Sequence, residues 1–283
     1  DKAMIEAINK KAELAGELAY QQGLMNYNSS IKEYYSDILD RIFNLYLQEI
    51  NVNVANLQLK SAQITYDNNS ELFNRGLISS DDLKSSELTV KDAENNLKNA
   101  NINLETAQDN LSKIYEGNIK EITINIPDLE GFFVSDDEYL NNSYALKLSK
   151  LNVELSEYDL NNLPSNASSY NKKITEATHQ KNLLTLEDTN EKLKEAHKLT
   201  KNSLEILYMT LQNLKERVDL SQNTFNDTKN RFDKGLVSEL ELISSNIEYL
   251  NAQKNYYDSL KNYLETYINY VVDTGRSLKE VGL

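Results

Sequence analysis

An all-α fold built from long antiparallel helical hairpins is predicted by three observations. The chain repeats itself: Phe73, Gly76, Leu77, Ser79 and Leu83 return as Phe232, Gly235, Leu236, Ser238 and Leu242, at a constant offset of 159 residues. Its 283 residues hold only 8 Gly and 2 Pro, too few to punctuate a many-stranded fold, so turns are few and elements long. Apolar residues recur at seven-residue intervals over most of the length.

Residues 1 to about 25 carry Ile5, Ile8, Ala12, Ala15, Leu18 and Ala19 at helical spacing and read as a short helix, ended by Gly23 and the stretch Asn26 to Ser30. From Ile31 to Phe73 two heptad series coexist. The first is Ile31, Ile38, Leu45, Val52, Leu59, Tyr66 and Phe73; the second is Phe43, Leu47, Ile50, Val54, Leu57, Ser61 and Ile64. An offset of two residues places them about 200° apart on a helix turning ~100° per residue, so this helix needs a neighbour on each flank. Ser79 to about Tyr115 forms a return helix, with Leu83, Val90, Leu97, Leu104 and Leu111 beside Ser86, Ala93, Ala100 and Ala107. Small residues on that seam admit close antiparallel packing against the preceding helix.

Between the halves, Ile122, Ile124 and Ile126 alternate with polar residues before Pro127 and suggest one short strand in a linker. Residues 136 to 163 read as one helix, with Asp136, Asp137 and Glu138 suited to its first turn. A second long helix spans about 172 to 234. On these spans the first long helix would measure about 65–70 Å and the second roughly 95 Å, the second being longer by roughly 17 residues. The last return helix carries Tyr249, Tyr256, Tyr263 and Tyr270 at intervals of seven. The rings either pack between helices with their hydroxyls at a wet edge or line a lumen. The organisation is therefore a first repeat over 1–117, a linker over 118–135, a second repeat over 136–275 and a tail over 276–283.

Both hairpins share one turn design. Gly76 and Gly235 supply positive φ to close a helix, and Ser79 and Ser238 cap the next one, with Asp82 and Glu241 three residues on completing a capping box. This leaves Leu77, Ile78, Leu236 and Val237 at exposed apolar tips, which is the signature of a contact surface.

Composition excludes several functions. The formal net charge of −14 opposes a nucleic-acid partner and suits a soluble surface. The absence of Cys rules out thiolate metal sites and disulfides. No apolar run approaches the ~20 residues of a membrane helix. Asp1 to Glu6 contain no basic-then-apolar leader, so an export signal was either removed or never present. His179 and His197 lie at no metal-binding spacing and read as surface helix residues. No catalytic residue, metal site or cofactor is predicted.

In this order and at these lengths, the residues resemble the TolC family of outer-membrane efflux ducts, over nearly the whole chain. The carrying motif is Phe-x-x-Gly-Leu-x-Ser, present once per half between a long helix and an Ala/Leu-rich return helix. The resemblance implies a homotrimeric, hollow α-barrel in the cell envelope that passively conducts exported substrates. Its tips would dock a periplasmic adaptor coupled to an inner-membrane pump, through Gly76, Leu77, Ile78, Ser79, Gly235, Leu236, Val237 and Ser238. Asp82 and Glu241 fall where the family's acidic lumen ring is expected, although Ser244 replaces a second ring acid. One departure is pronounced. The family inserts two membrane β-hairpins per chain between short and long helices, and here those places hold only Asn26 to Ser30 and Pro164 to Tyr170, too short for strands of ~10 residues each. The anchor is either naturally lacking or has been removed. The competing reading is a non-porous coiled-coil scaffold or spacer of the envelope.

Overall fold

The computed structural model describes residues 2–116 and 126–278, with side chains from residue 8 onward. Six helices make up the regular structure: α1 (Lys2–Asn74), α2 (Ser80–Ser112), α3 (Asp136–Asn142), α4 (Tyr144–Asn161), α5 (Ser169–Asp233) and α6 (Glu239–Asp273). No strand occurs among the described residues. The expected strand residues Ile122 and Ile124 lie outside them, and Ile126 is irregular.

The short first helix does not exist as a separate element. Helix α1 runs unbroken for 73 residues, straight through Gly23 and Asn26 to Ser30. A single Gly costs a helix only about 1 kcal/mol, and positive φ, which would end the helix, occurs at Gly76 but not at Gly23. The polar run bonds along the helix instead: Gln22 Nε2 donates to Asn26 (3.2 Å) and Ser29 Oγ to the Met25 carbonyl (3.2 Å). This also reverses the expected lengths, since α1 at 73 residues exceeds α5 at 65. Shifting α5 back by the repeat offset (169–233 less 159) lands on residues 10–74, so the two long helices are full counterparts. The segment 136–163 is likewise two helices. Ser143 leaves the helical conformation (φ −66°, ψ 118°) and accepts the Leu146 N–H at its Oγ (3.3 Å), ending α3 and capping α4.

Contacts divide the chain into two units, each assembled from both halves of the sequence. One comprises Asp1–Tyr35, Asn125–Glu205 and Thr266–Leu283; the other comprises Ser36–Ile124 and Ile206–Glu265. In the second of these, the helices lie in the order α2, α1, α6, α5, each antiparallel to its neighbour. Leu45 packs with Ala107 and Leu111, and Ala62 with Val90 and Ala93, joining α1 to α2. On the other flank, Phe43 and Tyr46 meet Tyr257 of α6 at 6.3 and 5.4 Å, Ser36 Oγ donates to Glu265 (2.9 Å), and Lys261 pairs with Asp40. Tyr208 with Tyr263 (5.7 Å) and Phe225 with Tyr249 (6.2 Å) join α5 to α6. The two seams read in α1 thus serve two partners, the Leu45 series facing α2 and the Phe43 series facing α6.

In the other unit α4 folds back antiparallel on α5. Ser149 Oγ meets Thr189 Oγ1 (3.2 Å), Asn182 Nδ2 donates to the Asn152 carbonyl (3.1 Å), and Ser156 Oγ lies 3.2 Å from His179 Nδ1. Lys11 of α1 pairs with Asp159 of α4 (2.6 Å). The link from α4 to α5 is a short turn in which the Ala167 N–H donates to the Pro164 carbonyl (2.9 Å) and the Ser168 Oγ caps α5 by accepting the Asn171 N–H (3.1 Å). Neither place reserved for a β-hairpin in the resembled family holds strands.

Candidate docking tips and a buried polar clasp

The two tips have one geometry. Gly76 and Gly235 both sit at φ 71°. In the first, Gly76 N–H donates to the Phe73 carbonyl (2.8 Å) and Leu77 N–H to that of Leu72 (2.9 Å); in the second, Gly235 donates to Phe232 (2.8 Å) and Leu236 to Arg231 (2.9 Å). This paired closure consumes the last free carbonyls of α1 and α5 and needs a left-handed residue at the glycine. No atom lies within 4 Å of a Cβ built on either glycine, so a substitution meets only backbone strain. Gly76→Ala or Gly235→Ala is therefore expected to cost about 1–2 kcal/mol. Asparagine at the same position should cost less, as thermal melts of the two variants would show.

The next helix begins at once. Ser79 Oγ accepts the Asp82 N–H (3.1 Å) while Asp82 Oδ2 accepts the Ser79 N–H (3.1 Å), a reciprocal box that holds the Asp82 carboxyl below its ordinary range, chiefly through the Ser79 hydroxyl bond. In the second tip Glu241 N–H donates to Ser238 Oγ (3.1 Å), and the Glu241 carboxylate lies 3.7 Å from Arg231. Both expected ring acids are thus exposed residues of a helix first turn. With the backbone so satisfied, the apolar side chains are left outward: Leu77 is 60 % and Leu236 67 % exposed, while Ile78 and Val237 are half-buried. Gly76, Ser79, Gly235 and Ser238 are exposed as well.

The histidines are not surface residues. His197 is fully buried, and His179 is half-buried beside Ser156. His197 Nδ1 lies 2.7 Å from Asp136 Oδ1, its Nε2 lies 3.0 Å from the Tyr270 hydroxyl, and that hydroxyl accepts the Val134 N–H (3.0 Å). The imidazole is stacked on Tyr139 (4.3 Å) and Tyr270 (5.7 Å). His197 holds the Asp136 carboxyl below its ordinary range by hydrogen bonding, helped by the nearby charge of Lys201. An ionised carboxylate only accepts, so the proton sits on Nδ1. The neutral ring then takes the Tyr270 O–H at Nε2, and each donor in the chain finds an acceptor. Burial pushes the Tyr139 phenol up to about 12 and that of Tyr270 upward, so the tyrosines stay protonated.

This clasp fastens the inter-repeat segment to α3, α5 and α6. Phe132 stacks on Tyr267 (4.2 Å), and Arg276 lies over its other contacts at 4.5 Å while donating to its carbonyl (2.9 Å). Of the tyrosine stripe, Tyr263 and Tyr270 are buried within the chain, and the Tyr270 hydroxyl is bonded inside rather than at a wet edge. Asp136 to Glu138 do form a helix first turn, with Ser135 Oγ accepting the Glu138 N–H (3.2 Å). The sequence signal for His197 is the repeat: its counterpart 159 residues earlier is Ile38, a member of the first heptad seam.

Among the described residues no cluster of three or more His, Cys, Asp or Glu is placed to hold a metal, and no helix is long and apolar enough to cross a membrane. No protein-family model matches the sequence, and no curated protein sequence matches it. Solved structures do. A membrane protein from Pseudomonas aeruginosa aligns over 98 % of this chain and 72 % of its own, with TM-score 0.66 at 11 % identity. The outer membrane protein VceC of Vibrio cholerae aligns over 95 % and 76 % (TM-score 0.59, 11 % identity), and the CmeC outer membrane channel of Campylobacter jejuni over 94 % and 67 % (TM-score 0.56, 13 % identity). At such identities the likeness is one of fold. The chain has a TolC-like fold, that of the outer-membrane efflux channels, with no strand at either place where β-hairpins are expected.

Proposed function

We propose that the chain is a wall segment of a passive efflux or secretion duct in the cell envelope. It acts as a homotrimer, and its tips dock an adaptor that couples it to an inner-membrane pump. The supporting observation is the four-helix order α2, α1, α6, α5. The inner helices α1 and α6 have neighbours on both flanks, whereas Leu88 and Ile102 on α2 and Ile206, Met209 and Leu220 on α5 are exposed. Apolar residues along both edges of a helical layer call for another layer edge to edge. Closing the α5 edge of one copy on the α2 edge of the next repeats heterologously, and a ring closes it. Transport would be driven elsewhere, so no catalytic group is assigned. Asp82 and Glu241 at the tip end would present a carboxylate pair per copy to the lumen.

Light scattering with solution X-ray scattering tests the reading. A trimer with a hollow cross-section is expected, and Leu220→Asp combined with Leu88→Asp should return it to monomer with its helicity kept. A monomer at high concentration, or a solid rod-like cross-section, would instead assign the chain to a coiled-coil spacer.

A further inference from the structure

The contact of α4 on α5 defines a stripe whose twin on α1 is uncovered. On α5 the stripe is His179, Asn182, Leu186, Thr189 and Leu193; Ser156, Asn152 and Ser149 of α4 meet its first, second and fourth members at 3.2, 3.1 and 3.2 Å, and all five are partly buried. The 159-residue repeat carries these positions onto Tyr20, Gly23, Tyr27, Ser30 and Tyr34 of α1. There Tyr20, Tyr27 and Tyr34 stand 60, 64 and 63 % exposed. Three tyrosines at seven-residue spacing present one continuous amphipathic face, and Gly23 among them leaves room for a close helix, no atom lying within 4 Å of its built Cβ.

The stripe is also not where α4 itself touches α1. Lys11, which pairs with Asp159, precedes Tyr20 by nine residues, about 180° around the helix. In this unit α1 therefore has α4 on one flank and the tyrosine stripe on the opposite one. We propose that the Tyr20–Tyr27–Tyr34 face is a docking seat for an amphipathic helix of α4's type, lying antiparallel to α1 with small hydroxyl and amide side chains at the spacing of Ser149, Asn152 and Ser156. Tyrosine suits such a seat: the rings supply apolar area, and the hydroxyls meet serine and asparagine partners.

The chain has no Cys, so engineered disulfides read the seat and its register directly. The probe is a synthetic peptide of residues 143–162 carrying Ser149→Cys, offered to the full chain bearing Ser30→Cys or, separately, Thr189→Cys. Cross-linking to Ser30→Cys is expected at least about tenfold above a scrambled peptide, with loss of about tenfold on adding Tyr27→Glu at unchanged helicity. Thr189→Cys should stay unreactive because the chain's own Ser149 already occupies it. A second pair, peptide Ser156→Cys with chain Tyr20→Cys, should react in the same register. Scrambled-level yield, reaction at Thr189→Cys alone, or chain-to-chain disulfides through Ser30→Cys outcompeting the peptide would each overturn the proposal. The last outcome would make the face a contact between copies. The test requires neither a trimer nor an adaptor, so its failure is separable from failure of the duct reading.

Discussion

Replacing His197 by alanine is expected to destabilise the protein by about 3 kcal/mol, lowering the melting temperature by about 6–12 °C. Two losses add. The ring fills space between Tyr139 and Tyr270, so its removal leaves a cavity, and the Tyr270 O–H loses its acceptor inside an aromatic cluster. Two further variants separate them. His197→Phe keeps the stacked ring but deletes both polar contacts, and should retain roughly half of the loss. Tyr270→Phe removes the hydroxyl on which His197 Nε2 and the Val134 N–H converge, and costs about 1–3 kcal/mol. Because both substitutions break one chain of bonds, the double variant should cost less than their sum. Hydrogen exchange at the Val134 amide gives a local readout, since its protection depends on Tyr270 and not on His197. Strict additivity, or an unchanged Val134 amide in Tyr270→Phe, would show that the clasp does not act as a unit.

The position of this clasp explains what the sequence could and could not reveal. The hairpins were legible because their determinants are local: Gly76 and Gly235 close one helix, Ser79 and Ser238 open the next, and the heptads of α1 name two flanks. Those flanks are occupied by α2 and α6, as two opposed seams require. The break between α1 and a supposed short helix was misread because Gly23 and an Asn/Ser run are boundary signals only where a helix has no tertiary support. Superposing the repeats over their whole length, rather than over the turn motif, would have matched residues 10–74 to α5 and removed the supposed excess of the second long helix. His197 was hidden for a different reason. A lone His at no ligand spacing reads as polar surface, and its burial depends on Asp136 and Tyr270, 61 and 73 residues away in the chain.

Aspartate at both tip leucines, Leu77 and Leu236, is expected to abolish binding of an adaptor's helical hairpin while leaving the fold intact. The two halves of that statement rest on different atoms. The fold uses the backbone of these residues, whose N–H groups donate to Leu72 and Arg231 whatever the side chain, and the glycine before each carries the unusual conformation. The side chains are the exposed part, at 60 and 67 %. Burying two leucines in a partner groove contributes about 1.5–3 kcal/mol each, and a desolvated carboxylate in their place is unfavourable in addition. Affinity should therefore fall by two orders of magnitude or more. Circular dichroism should report unchanged helicity, and a binding assay with the immobilised hairpin should report the loss. Each single variant should fall between wild type and the double variant, because the repeated turn makes the two tips equivalent contacts. Unchanged binding in the double variant would remove the tips from the docking surface. Lost helicity would instead mean that Leu77 and Leu236 brace the turns they follow, contrary to their exposure.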